Sequence, residues 1–130
     1  MRTFYKQVVI NHTALASFNA PSTLLKNIYM CSVCMISSGS VNGTAKLQAS
    51  NDPETNDTQT NSTTGTPPTQ SPTNWADITN SSVTVNSTSA APILWNVDAI
   101  GFNYIRMVWT DSSSGAANGT ITVQVVGKGV

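Results

Sequence analysis

The sequence predicts an all-β chain, a single antiparallel β-sandwich or jelly roll carrying one long polar loop. Three observations lead there. Runs rich in β-branched and aromatic residues recur at short intervals. Gly, Asn, Ser and Pro separate them, and no segment sustains apolar residues at helical spacing. Short strands at regular spacing with turn signals between them are the pattern of sandwiches and jelly rolls. At 130 residues, the chain is read as one domain over residues 1–130, with room for one core.

The expected strands cover residues 4–10, 14–18, 28–37, 44–49, 75–78, 83–86, 93–97, 104–110 and 120–126. Where alternation is clear, it assigns faces. Ala45, Leu47 and Ala49 oppose Lys46 and Gln48, and Ile121, Val123 and Val125 oppose Thr120, Thr122 and Gln124. In YIRMVWT, Ile105, Met107 and Trp109 point inward, while Tyr104, Arg106, Val108 and Thr110 form the outer row. IYMCSVCMI is apolar on both rows, which predicts a central strand covered on both sides. Asn42-Gly43 and Asn118-Gly119 read as turns, because both residue types tolerate positive φ.

Residues 51–74 interrupt this pattern. The stretch NDPETNDTQTNSTTGTPPTQSPTN contains no aliphatic side chain and is stiffened by Pro53, Pro67, Pro68 and Pro72. Loops beyond about 15 residues tend to be functional or disordered. The composition suits a solvated insertion and an arm that orders across a neighbour alike.

Charged residues make up 9% of the chain, against roughly 25% in ordinary soluble domains. Six cations balance six acids and neither sign forms a block, which argues against nucleic acid and against anionic membrane. MRTFYKQVVINHT lacks the continuous apolar core of a secretory leader, and no run has the length of a membrane span. The chain is therefore expected to be made in a cytoplasm. The Asn-x-Ser/Thr triplets at Asn11, Asn42, Asn61, Asn86 and Asn118 follow from the Asn/Ser/Thr bias.

No catalytic residues are expected. Cys31 and Cys34 form a C-x-x-C, but residues three apart on a strand point to opposite faces. No second pair supplies the remaining zinc ligands, so two buried, reduced thiols are expected and metal ligands are not. His12, the sole histidine, falls in a polar turn without an acidic or nucleophilic partner. Asn51, Asp52, Glu54 and Asp57 offer oxygen ligands for calcium, without EF-hand spacing or its turn glycine. No phosphate-binding glycine loop or nucleophile elbow is present, and no cofactor is expected. Trp109 alternates with core residues, and Trp75 anchors the return of the insert. Trp95 and Tyr104 remain as candidates for stacking on a glycan.

The succession AKLQASND, NWADI, SSVTV, LWNVDAIGFNYIRMVWT and GTITVQVVGKG resembles that of small bacteriophage virion proteins with a β-sandwich core. The Ser50-Asn51-Asp52, Trp75 and Tyr104-Ile105-Arg106 elements also resemble a discoidin or galactose-binding-like jelly roll. The likeness spans residues 44–128, and the insert splits a motif that in the family is nearly continuous. The resemblance implies a capsid decoration or cement protein at the virion surface, bound to the major capsid protein or other virion proteins. It also implies a homo-oligomer, a trimer being one form. Phe4, Tyr5 and the prolines Pro53, Pro67, Pro68 and Pro72 are then the expected partner contacts. The alternative is a carbohydrate-binding module of a tail or adhesion device, which requires Trp95 or Tyr104 to be exposed.

Overall fold

Two antiparallel sheets pack over one apolar core. The structure, a computed structural model, describes residues 2–53, 72–88, 91–98, 100–113 and 118–129. The first sheet runs β1 (Arg2–Thr13), β10 (Thr120–Gly129), β4 (Ile28–Ser38), β8 (Ile93–Val97). The second is centred on the pair β9 (Tyr104–Asp111) and β5 (Ser40–Ser50). On the free side of β9 lie two short strands, β2 (Phe18–Asn19) and β3 (Thr23–Leu24). On the free side of β5 lie β7 (Val83–Thr88) and β6 (Ala76–Asp77).

The core follows from the period of two. Ile121, Val123 and Val125 project inward from β10, Cys31, Val33 and Met35 from β4, and Ile105, Met107 and Trp109 from β9. Val41, Ala45 and Leu47 complete the inner row of β5. These side chains bury an apolar face on each sheet, the dominant favourable contribution to such a fold.

Gly39, at φ 73°, is the one residue between β4 and β5, and there the chain passes from the first sheet to the second. The left-handed region suits glycine because it lacks a Cβ.

Several expectations shift. Asn42-Gly43 is not a turn: both residues lie inside β5, and neither has positive φ. Gly43 serves close approach instead. A Cβ there would sit 2.3 Å from the Thr110 carbonyl oxygen and 2.7 Å from Trp109 Cζ2, so the missing side chain makes room for the indole. Residues 14–18 do not form a strand; only Phe18–Asn19 pairs, and β3 was not foreseen. The first strand runs longer than expected, to Thr13, because register shifts around Val8 and around Ile10 and Asn11 let it bend while it follows β10.

Candidate interaction surface

The two outer faces of the sandwich differ in chemistry. On the second sheet, polar side chains satisfy one another. Lys46 Nζ donates to Asp77 Oδ2 at 2.9 Å, and Gln48 Nε2 donates to Asp77 Oδ1 at 2.8 Å. Arg106 donates through Nε and Nη2 to Gln48 Oε1 at 3.0 and 2.7 Å, and its guanidinium lies 4.1 Å from the Trp75 ring centroid. The Gln48 and then the Lys46 hydrogen bonds hold the Asp77 carboxyl below its ordinary pKa. An exposed pair of this kind contributes little stability because water screens it. Its effect is to engage Lys46, Gln48, Asp77 and Arg106 within the chain.

The outer face of the first sheet is nearly uncharged and mixes apolar with uncharged polar side chains. Register places Tyr5, Val126, Ser32 and Asn96 in one row, and Gln7, Gln124, Cys34 and Leu94 in the next. Thr122 and Ile36 extend it on one side and Lys128 and Met30 on the other. Tyr5 is 58% exposed and Leu94 61%. Ile10, beside inward-facing Val9, is 65% exposed. The outer residues of β4 confirm its central place but correct the expected double coverage: Met30, Cys34 and Ile36 are only partly buried. On the rows described, the charges are Lys128 and, beyond β8, Asp98, both lining a shallow hollow of about 150 Å³ at one end. Exposed apolar patches of this kind mark interaction sites.

The base of the polar insert is closed by hydrogen bonds. Asp52 Oδ2 accepts from the Thr73 and Asn74 backbone N–H groups at 2.6 and 3.1 Å, and Oδ1 accepts from Asn74 Nδ2 at 3.0 Å. The Asn74 side chain, then the two backbone donors, lower the Asp52 pKa from its ordinary value. Trp75 Nε1 donates to the Pro72 carbonyl at 3.1 Å, and Asn103 Nδ2 donates to the Asn51 and Asp52 carbonyls. This agrees with Trp75 as the anchor of the return. It also gives Asp52 a structural partner set, while two of the four ligands of the calcium site considered from sequence are not among the described residues. Glu54, Asp57, Pro67 and Pro68 lie outside the described residues.

The other sequence-predicted residues separate. Tyr5 lies on the outer face of the first sheet, whereas Phe4 does not: it points inward, and its ring rests against β10 at Gly127. Pro53 is exposed and Pro72 half-buried at the base of the insert. Trp95 and Tyr104 offer no exposed ring, at 9% and 6% exposure, so neither stacks on a sugar. Trp95 belongs to the inner row of β8, and its Nε1 donates to the Ser81 carbonyl at 2.8 Å. Tyr104 pairs with Ser50 on one side of β9 and with Leu24 on the other.

Cys31 and Cys34 lie on opposite faces of β4 as alternation requires, both as free thiols, but Cys34 is only partly buried. Burial pushes the Cys31 thiol up to about 11. His12 is part of β1, not a turn; its ring lies 4.0 Å from that of Phe18, and Nδ1 meets the Thr13 carbonyl oxygen at 2.9 Å. Sequence reasoning missed Leu94, Ile10 and Val126. The alternation of PILWNV carried the signal for Leu94, once Trp95 was known to face the core.

No family model matches the sequence, and no curated protein does. Among solved structures, the chain is similar to the crystal structure of the SPBc2 prophage-derived protein YomS, with a TM-score of 0.53 and 15% identity. The match covers 97% of this chain and 92% of that one. What the two share is the fold. Among the described residues, no helix is long and apolar enough to cross a membrane.

Proposed function

We propose that the chain is a non-enzymatic structural subunit of a phage particle, a decoration protein that docks on the major capsid protein and stabilises the head. The observation that carries this reading is the contrast between the two faces. One has its charged groups Lys46, Asp77 and Arg106 joined by hydrogen bonds to one another and through Gln48, and the other presents Tyr5, Leu94, Cys34 and Val126 with charges only at one end. Three strands of about ten residues and one of five, at about 3.3 Å per residue and about 4.8 Å between strands, give a face of roughly 550 Å². That is about two thirds of the roughly 800 Å² per partner of a standard interface. Repetition around a shell lets each weak contact add to the next. Support for a phage setting comes from the resemblance of residues 44–128 and from the likeness in fold to a prophage-derived protein. The reading extends to assembly as a homo-oligomer, a trimer by that resemblance.

The glycan-binding alternative has lost its requirement, since Trp95 and Tyr104 are buried. The experiment is to band particles of the phage that carries the gene and to look for the protein on heads by mass spectrometry and immunogold labelling. A Leu94→Lys variant with unchanged melting temperature should be lost from the particles. Absence of the wild-type chain from banded heads sinks the proposal, and retention of Leu94→Lys moves the contact to another face.

A further inference from the structure

The two charges at the end of the first sheet's outer face are of opposite sign, and register places them symmetrically. Thr3, Lys128 and Met30 lie side by side on β1, β10 and β4. On the other side of β4, β8 stays paired as far as Cys31–Val97, so Asp98, one residue on, falls level with Met30. Lys128 and Asp98 thus flank Met30 from the two neighbouring strand positions, about 10 Å apart at the main chain. Both line the hollow of about 150 Å³, together with Met30 and Val126. Among the described residues, neither has a charged partner within the chain.

Exposed charges at a strand end ordinarily serve solubility alone, and that role leaves their placing arbitrary. Here the two stand at equal distance from β4, in one row, over one hollow. A twofold axis laid along β4 therefore carries each onto the other. It sets β10 of one copy over β8 of a second, and β8 over β10. Because the axis runs parallel to the strands, every residue keeps its height along them. Lys128 comes to face Asp98 of the second copy, and Asp98 its Lys128. Val126 faces Asn96 and Gln124 faces Leu94, while Met30, Ser32, Cys34 and Ile36 of β4 meet their own counterparts. No like charges are opposed anywhere on these rows. Such self-complementarity is what a twofold contact requires.

We propose that the chain pairs face to face with a second copy of itself through the outer face of the first sheet, about a twofold axis along β4, with two reciprocal Lys128–Asp98 ion pairs setting the register. Packed sheets lie about 10 Å apart, a gap that a lysine and an aspartate side chain together span, and the unbranched Met30 side chains adapt to the hollow between them. At about 3.3 Å per residue and about 4.8 Å between strands, β10, β4 and β8 offer roughly 400 Å² per copy. The total of about 800 Å² is that of a transient contact and not of a permanent one. The dimer covers this face in the free protein and gives way to the capsid partner, which uses the same surface. It requires nothing of the capsid reading.

Sedimentation velocity of the purified full chain, over a concentration series reaching the millimolar range, should show a monomer–dimer equilibrium. Lys128→Asp and Asp98→Lys should each weaken dimerisation about tenfold or more, because a like-charge contact then forms twice in every dimer. The exchanged variant Lys128→Asp/Asp98→Lys should recover it, with melting temperatures unchanged throughout. A second measurement needs no variant. Zero-length carbodiimide coupling of a mixture of isotope-labelled and unlabelled wild-type chains should join Lys128 of one to Asp98 of the other, as read by mass spectrometry. A monomer at every concentration, a trimer, failure of the exchanged variant to recover, or coupling that never joins the two labels overturns the proposal. These measurements use the chain alone, so their failure is distinct from absence of the chain on phage heads.

Discussion

Replacing Trp109 with alanine removes a side chain that is 0% exposed and seated in space left by Gly43. Its Nε1 also donates to the Ala14 carbonyl at 3.2 Å. A buried tryptophan hides about 200 Å² or more, which at ~25 cal/mol/Å² corresponds to about 5 kcal/mol of transfer free energy. Observed Phe or Trp to Ala changes cluster at about 3–5 kcal/mol. The stranded Ala14 carbonyl adds about 1 kcal/mol. A loss of about 4–6 kcal/mol is therefore expected, a large share of the roughly 5–15 kcal/mol that holds a domain of this size together. Urea unfolding followed by far-UV circular dichroism measures it. With a slope of about 1–3 kcal/mol/M, the midpoint should fall by more than about 1.3 M, or the variant should not fold. Trp109→Phe, which keeps most of the apolar volume, should cost clearly less, and Trp75→Ala, at a half-buried site, less again. If Trp109→Ala costs under about 2 kcal/mol, or no more than Trp75→Ala, then the indole is not the centre of this core.

Two further outcomes are expected. The Asp52 carboxyl is held below its ordinary value of 3.8. A depressed folded-state pKa contributes stability that is present above the unfolded value and lost as pH falls through the folded one. The base of the insert should therefore hold from neutral pH to about pH 4 and open below it. Amide exchange at Thr73 and Asn74 reads this directly, and exchange unaltered by Asp52→Ala at pH 6 would show that other contacts close the base. Iodoacetamide at pH 8 should label Cys34 in the folded chain and Cys31 only after denaturation, because Cys31 is buried and its thiol titrates at about 11. Equal labelling of the two in the native state, localised by tandem mass spectrometry, would contradict their placement on opposite faces of β4.

What could be read from the sequence is what depends on alternation. Ile105, Met107 and Trp109, and Ile121, Val123 and Val125, occupy the core rows that period two assigns them. What could not be read depends on neighbours distant in sequence. Asn42-Gly43 has the composition of a turn, and only the Trp109 ring on the adjacent strand explains a glycine in mid-strand. The apolar outer row of β4 was visible, but apolarity alone does not say whether the chain itself covers it. Phe4 and Tyr5 were equivalent as a pair of aromatics until pairing with β10 set one inward over Gly127 and the other outward beside Val126. Trp95 stays unassigned from sequence because PILWNV is too short to phase without its partner, β4.

A nearly uncharged sheet face with exposed apolar side chains invites uncontrolled association unless the ways of associating are restricted, and the edges of the first sheet supply that restriction. β1 carries two register shifts and an inward-pointing Lys6, both of which hinder a foreign strand from pairing along it. β8, at the other edge, has five residues, too few for an extended ladder. Strand addition is thus discouraged at both edges while the face between them stays open. Association is steered toward packing face to face, where side-chain shape selects the partner and main-chain hydrogen bonding does not. The proposed role, a subunit fixed to a regular surface, needs that selectivity. Tyr5 and Leu94 lie exposed at opposite margins of the face, so a partner that covered its whole width would meet both.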